Sequence, residues 1–321
     1  MKGISAVIAT YQRRNQLKAL LSSIVDNSIE HFEAIIADQN TDGLIYDIIE
    51  EYRKKLDITH LKIAEANQSK ARNIGAEAAK YPILCFPDDD CWYEPDTLRK
   101  VIAHFDDPAT NTDLLIINWR QHPIKPAEST TIRRSDLFSF RSAGYATITL
   151  YFKTSVFRQL GGFLETIGIG RYIGGGEDSE LTFRAMSRNC RLYYRKEIGV
   201  NHLYNPIVTR DLSVIRTRQR AMGYLYVRYH VPYWVVLRGI VAPMVKMLCA
   251  LSGVKRKQFY NMCCARVEGL VYGLKEKDNR LSKRIASLQY IRHNQKADAG
   301  LLGLQFLLRP DSEFSFLSGL F

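Results

Sequence analysis

Over residues 4–118, short apolar runs alternate with stretches of helical periodicity, and that alternation leaves few folds open. Ile4–Ala9 reads as a buried strand, after which Leu17, Leu20, Leu21 and Ile24 recur at helical spacing. Ala34–Asp38 is a second strand, followed by a polar turn and a helix with Leu44, Ile45, Ile48, Ile49 and Tyr52 on one side. Ile58–Ile63 is a third strand, Ser69–Ala79 an Ala-rich helix, and Pro82–Phe86 a fourth strand running into Asp88, Asp89 and Asp90. Strands and helices at this spacing predict right-handed crossovers and a largely parallel sheet, an α/β fold. In open sheets of this kind ligands sit beyond the carboxyl ends of the strands. The rule singles out Thr10, Tyr11 and Arg13 after the first strand, Asp38 after the second and the aspartates after the fourth.

Pro95 suits the first turn of a helix reaching Phe105, and Asp113–Asn118 is a further strand. Residues 119–144 have no clear period and predict a long loop, a length that usually serves a site. Thr147–Phe152 as a strand, Thr154–Leu160 as a helix capped by Gly161, a glycine-rich loop, a helix from Glu177 and a strand near Leu192–Tyr194 complete the unit.

From Leu212 the texture becomes helical and basic. Lys and Arg number 19 from Arg210 to the end against 7 Asp and Glu, whereas residues 1–209 hold 26 of each, so the whole net charge of +12 lies in the C-terminal block. Such a block suits nucleic acid, an anionic membrane face or plain water. Apolar residues between Leu225 and Leu248 are interleaved with Arg228, Arg238 and Lys246, which argues against a spanning helix and for one lying in a membrane interface. The competing reading is an amphipathic helix packed on the catalytic part. No run of about 20 uncharged apolar residues occurs, and Met1–Thr10 carries no charged-then-apolar leader. Six cysteines form neither a CxxC pair nor a zinc-like spacing and read as reduced thiols. The expectation is a cytoplasmic protein, peripheral at the inner face of the membrane, divided into a catalytic domain at 1–210 and a basic helical region at 211–321.

Three features carry chemistry. Asp88, Asp89 and Asp90 place carboxylates at the mouth of a buried strand, where a hard cation such as Mg²⁺ or Mn²⁺ would bind together with diphosphate oxygens. Alone, the triplet reads equally as an acidic turn capping the next helix. Gly174–Gly176 opens a helix at Glu177 and Asp178; acids there are expected for dipole reasons, but glycines permit close substrate approach and a carboxylate there can serve as general base. No Gly-Lys-Ser/Thr follows, which excludes a Walker loop. His202, just beyond the Leu192–Tyr194 strand, is either structural or a third ligand to the same cation.

Val7–Arg13, Ser69–Gly75, Asp88–Asp90, and Gly162–Phe163 leading through Gly168–Gly170 to Gly176–Asp178 resemble, in order, the motifs of family 2 glycosyltransferases with the GT-A fold, over residues 1–205. The resemblance implies a GT-A (Rossmann-like) mostly parallel sheet flanked by helices, with the C-terminal basic helices as an extension. It implies that Thr10, Tyr11, Arg13 and Asp38 line the nucleotide base pocket and that Arg72 approaches the nucleotide or its diphosphate. Asp88 would lie on the ribose side, Asp90 would be the metal carboxylate with Asp89 between them, and His202 a metal ligand. Asp178 would be the catalytic base and Glu177 an acceptor-binding residue. Leu164 stands where the family often has an acid, which touches only a loop contact. Arg218–Met222 lacks the Gln-x-x-Arg-Trp signature of processive synthases, so one sugar per encounter is expected. The C-terminal stretch is loosely similar to the basic tails of bacterial enzymes that build surface polysaccharides.

These readings converge on an inverting, Mn²⁺- or Mg²⁺-dependent transferase of a nucleotide-linked sugar, a UDP-sugar by family preference. Its acceptor would be a saccharide or a lipid-linked saccharide at an anionic membrane surface, which offers about 1 kcal/mol per well-placed basic residue. Two alternatives compete. A sugar-phosphate nucleotidyltransferase would use a similar sheet but release pyrophosphate. A nucleic-acid-binding protein would grip phosphates with Arg216, Arg218, Arg220 and Lys255–Lys257 but would leave the aspartates without work.

Overall fold

The computed structural model describes residues 3–122, 126–133, 146–203 and 211–278. Parts of the expected loop at 119–144 and of the expected 211–321 region lie outside the described residues. The chain divides into two compact units, Met1–Val271 and Tyr272–Phe321; in the second, residues 272–278 are described and helical.

The first unit is built on one mixed sheet. Strands β1 (Ile4–Thr10) and β2 (Phe32–Asp38) are buried at all seven positions each, because helices cover both faces. Such strands need no polar alternation, so they read as unbroken apolar runs. With β3 (Asp57–Lys62) and β4 (Ile83–Cys85) they form the parallel half, ordered β3-β2-β1-β4. Because β1 lies between β2 and β4, the connections leave it in opposite directions and a crevice opens at the carboxyl ends, beside Thr10.

The second half departs from the parallel pattern. Strand β8 (Leu150–Lys153) pairs antiparallel with β4 and with β6 (Leu114–Trp119), and β6 pairs parallel with β9 (Leu192–His202). Two short strands absent from the sequence reading complete the sheet, β5 (Cys91–Tyr93) and β7 (Thr130–Ile132), both antiparallel to β9. The predicted strand at Thr147 starts instead with a 3₁₀ turn, Thr147–Thr149, and β9 runs through His202 rather than ending at Tyr194.

Alternate side chains of β1 sort the core. Ile4, Ala6 and Ile8 face helices α1 (Arg14–Asp26), α2 (Tyr46–Arg53) and α4 (Thr97–Asp106). Val7 faces α3 (Gln68–Glu77), α5 (Thr154–Leu160) and α6 (Glu177–Ser187). Gly75 is required where α3 crosses β1, since a Cβ there would overlap the Val7 side chain. Helix α4 begins two residues later than the Pro95 signal suggested, at Thr97.

The basic region forms α7 (Leu212–Arg228), α8 (Tyr233–Cys249) and a helix α9 from residue 253. Asp211 caps α7 by accepting from the Ser213 and Val214 amides. Ala221, Tyr224, Leu225 and Tyr229 join the same apolar cluster as Val7, so α7 packs into the core on that face of the sheet. Helices α7 and α9 touch backbone to backbone: a Cβ on Gly223 would overlap the Arg266 carbonyl, and one on Gly269 the Arg220 carbonyl. Among the described residues no helix is long and apolar enough to cross a membrane. All six cysteines are free thiols.

Candidate active site

The acidic turn Asp88–Asp90 lies between β4 and β5. Cys91 donates its amide to the Asp88 carbonyl at 3.1 Å, closing the turn into β5. Antiparallel pairing of β5 with β9 sets Cys91 opposite His202, and this register brings the imidazole to the triplet. His202 Nε2 lies 3.0 Å from Asp90 Oδ1, and Asp88, Asp90 and His202 each offer a ligand atom within 4.8 Å of the others. The sequence reading gave the metal Asp90 and His202; the geometry adds Asp88 to the group. The end of β6 fixes His202 through Trp119 Nε1, which donates to its carbonyl at 2.7 Å, and Gln121 Oε1, which accepts from its amide at 3.0 Å.

The three aspartates differ in environment. Asp89 is buried and accepts from the Thr10 hydroxyl at 2.8 Å; burial pushes its carboxyl up to about 6. Burial opposes the charge of Asp90 too, but the hydrogen bond and charge of His202, joined by Arg13, outweigh it and hold this carboxyl below its usual range. The same contact overcomes burial at His202 and raises the imidazole. Arg13 thus pairs with Asp90 and lies 3.5 Å from Asp89.

Arg72 joins the triplet to the glycine loop. It is 2% exposed, donates from Nη2 to Asp88 Oδ1 at 2.6 Å, and places Nη1 3.8 Å from Glu177 Oε1. Nη1 is buried without a hydrogen-bond partner, a donor awaiting an acceptor. Glu177 opens α6 after Gly176, whose φ of +79° glycine adopts without strain. Asp178 is partly buried and accepts from the Ser179 amide at 2.6 Å; burial, followed by the charge of Glu177, raises its carboxyl to about 7. A carboxyl tuned to that range is poised for proton transfer near neutrality.

The remaining predicted residues flank this centre. Asp38 sits beside Thr10 in the β1–β2 register, fully buried, and accepts from His60 at 3.0 Å, Lys62 at 3.1 Å and Asn40 at 2.7 Å. Burial works against its charge, and these donors prevail, keeping the carboxyl low. Tyr11 is half exposed. Sequence reasoning missed Asn40, whose Oδ1 accepts from the Gln12 amide at 2.7 Å and ties together the loops after β1 and β2. It also missed Glu180, fully buried one turn into α6. Glu180 accepts from Arg184 at 2.5 Å, Arg228 Nε at 3.1 Å and the Tyr229 hydroxyl at 2.7 Å. No local pattern announces a contact spanning 49 residues.

Two carboxylates and an imidazole form an oxygen-rich donor set suited to a hard divalent cation, and the unpartnered Arg72 donor suits an anionic oxygen beside it. A doubly wound sheet carrying such a group after β4 and a carboxylate pair on a glycine-led helix defines the GT-A type of nucleotide-sugar glycosyltransferase fold. Residues 5–161, just under half of the chain, match the model of Glycosyl transferase family 2. EpsH of Bacillus subtilis is 31% identical over 118 residues, 36% of this chain and 33% of its own length, so the chain matches only a third of that relative. In structure it resembles residues 1–349 of Staphylococcus aureus TarS bound to UDP-GlcNAc, at TM-score 0.56 and 16% identity over 83% of this chain and 90% of that one. It also resembles the mannosyltransferase PcManGT of Pyrobaculum calidifontis in complex with GDP-Man and Mn²⁺, at TM-score 0.58 and 14% identity over 85% and 87%.

Proposed function

We propose that this chain transfers a sugar from a nucleoside diphosphate sugar, with a uridine base, to the hydroxyl of a saccharide or lipid-linked saccharide during cell-surface polysaccharide synthesis. The observation that carries the reading is Arg72, which spans Asp88 at 2.6 Å and Glu177 at 3.8 Å and so joins the donor side to the acceptor side. TarS, named as a poly(ribitol-phosphate) β-N-acetylglucosaminyltransferase and similar in both sequence and fold, supports the uridine donor.

Asp88, Asp90 and His202 would hold Mn²⁺ or Mg²⁺, which when bound offsets charge developing on the diphosphate leaving group. Arg72 directs its spare donor to the same phosphate oxygens. Asp178 takes the proton of the acceptor hydroxyl, the acceptor oxygen bonds to the anomeric carbon, and the bond from that carbon to the diphosphate breaks, releasing a nucleoside diphosphate. A single displacement inverts the anomeric centre; no second carboxylate is assigned as a covalent nucleophile. Glu177 orients the acceptor, while Thr10, Tyr11, Arg13, Asp38 and Asp89 shape the nucleotide pocket.

The C-terminal helices would bring this centre to an anionic membrane face on the cytoplasmic side. Helix α8 buries only Val235 and Pro243, and exposes Trp234, Leu237, Met244, Val245 and Leu248 beside Arg238 and Lys246. That face suits a helix lying in the interface. The test of the enzyme reading is product identity. Nucleotide sugars incubated with the chain, Mn²⁺ and an alkyl glycoside as acceptor should yield nucleoside diphosphate and an inverted glycoside by NMR. Release of pyrophosphate from sugar phosphate and nucleoside triphosphate would instead make it a nucleotidyltransferase.

A further inference from the structure

The sheet fixes where residue 202 stands but not how its imidazole is turned. The pairing of Cys91 with His202, the Gln121 side chain that accepts from the His202 amide at 3.0 Å and the Trp119 indole N–H that donates to its carbonyl at 2.7 Å all act on the main chain. Two side-chain torsions remain, and the second, about a bond to a flat ring, has broad wells. For the imidazole to stand ready for a cation, its plane must be held as well as its backbone.

A histidine that ligates a metal is ordinarily fixed by a hydrogen bond at its second nitrogen. His202 points Nε2 at Asp90 Oδ1, 3.0 Å away, and its Nδ1 is buried without a hydrogen-bond partner among the described residues. Of the influences on the ring's charge, burial and the two aspartates Asp90 and Asp88 come first and the Leu203 backbone last. What the ring does have is Trp119. The indole stands edge to face with the imidazole, centroids 5.2 Å apart and planes at 89°, a geometry in which aromatic pairs attract. Its own place is settled by its position at the end of β6, by its register with Val200 of β9, and by the His122 ring 4.7 Å away at 48°. One side chain thus grips residue 202 twice, by its N–H at the carbonyl and by its ring at the imidazole. An imidazole turned out of this plane would lose the second contact and carry Nε2 away from Asp90. We infer that Trp119 is a positioning residue of the cation centre, its indole ring setting the plane in which His202 meets the metal.

This role rests on the metal reading above, and the test separates the two. Mn²⁺ binding to the full chain is followed by electron paramagnetic resonance, without any assay of turnover. Trp119→Phe and Trp119→Leu both delete the indole N–H, but only the first leaves an aromatic ring, so their difference isolates the ring contact. Trp119→Phe should bind Mn²⁺ within about threefold of the parent chain, and Trp119→Leu roughly tenfold more weakly than Trp119→Phe. With His202→Ala added to each, that difference should vanish, because no imidazole is left to orient. A tryptophan that only supports the fold would weaken Mn²⁺ binding alike in both backgrounds. If Trp119→Leu does not fold, Trp119→Met supplies the arm without a ring. Equal affinity in the two single variants, or the same difference with His202→Ala present, would overturn the positioning role and leave the metal site standing. A parent chain that binds no Mn²⁺, or binds it unchanged after His202→Ala, would overturn the metal reading and the role of Trp119 with it.

Discussion

The Tyr229 hydroxyl donates to Glu180 Oε1 at 2.7 Å, fastening the end of α7 to the helix that presents Asp178. Phe183 stacks on the Tyr229 ring at 5.1 Å, and Arg228 approaches the same carboxylate from Nε at 3.1 Å. The base helix is therefore held by the basic region, two residues from the group that would take the proton.

Breaking this fastening should cost stability in graded steps. Tyr229→Phe removes one buried hydrogen bond, worth about 1–2 kcal/mol. Arg228→Met strips a cation from a buried carboxylate and should cost about 3–5 kcal/mol. Urea unfolding measures both; equal costs would show that Arg228 does not carry the charge balance at Glu180.

Asp90→Asn should weaken Mn²⁺ binding by at least roughly tenfold and abolish metal-stimulated turnover, since it removes a charged member of a three-ligand group. Mn²⁺ binding followed by electron paramagnetic resonance reads this without any assay of activity. Parental affinity in the variant would remove Asp90 from the metal site.

Asp178→Asn should lower kcat by about 10²–10⁴ with donor affinity near normal. In the parent chain log kcat/KM should rise with pH through about 7 and then level, the limb belonging to the raised Asp178 carboxyl. The same shift has a stability consequence of definite sign. A carboxyl raised on folding keeps its proton where the unfolded chain has lost it, so this contribution to stability is full at low pH and is lost as pH climbs to about 7. Asp178→Asn should therefore unfold at higher urea than the parent at pH 8, with a smaller difference at pH 5.

Membrane binding should be tested on α8 and not by truncation. Removing residues from 212 onward would strip Ala221, Tyr224 and Leu225 from the core and compromise folding. Leu237 and Leu248 are 60% and 75% exposed, and the pair Leu237→Asp with Leu248→Asp should leave thermal unfolding unchanged while reducing partition onto phosphatidylserine vesicles by about tenfold or more. Undiminished sedimentation would assign that face to something other than lipid.

The parallel half of the fold was legible because strands buried on both faces are written as apolar runs, as Ile4–Thr10 and Phe32–Asp38 are. Strand β5 escaped because Cys91–Tyr93 is three residues long and follows an acidic turn that reads as loop. Strand β9 was cut short because Arg195, Lys196 and Glu197 interrupt its apolar pattern where the register with β6 shifts. The site followed the same division. Asp88–Asp90 and Glu177–Asp178 were visible as motifs at element ends, whereas the pairing that delivers His202, the cross-link made by Arg72 and the Glu180 contacts depend on tertiary neighbours that no local spacing encodes.

The register that sets Cys91 against His202 also fixes when the centre becomes complete during synthesis. Residues 5–161, the stretch that carries the family signature, contain the three aspartates but neither the imidazole nor the carboxylate pair at 177 and 178. A nascent chain emerging N-terminus first will have its four parallel strands long before it has the imidazole that pairs with Asp90. The contact between Asp90 and His202 therefore waits for the strand that seals the sheet.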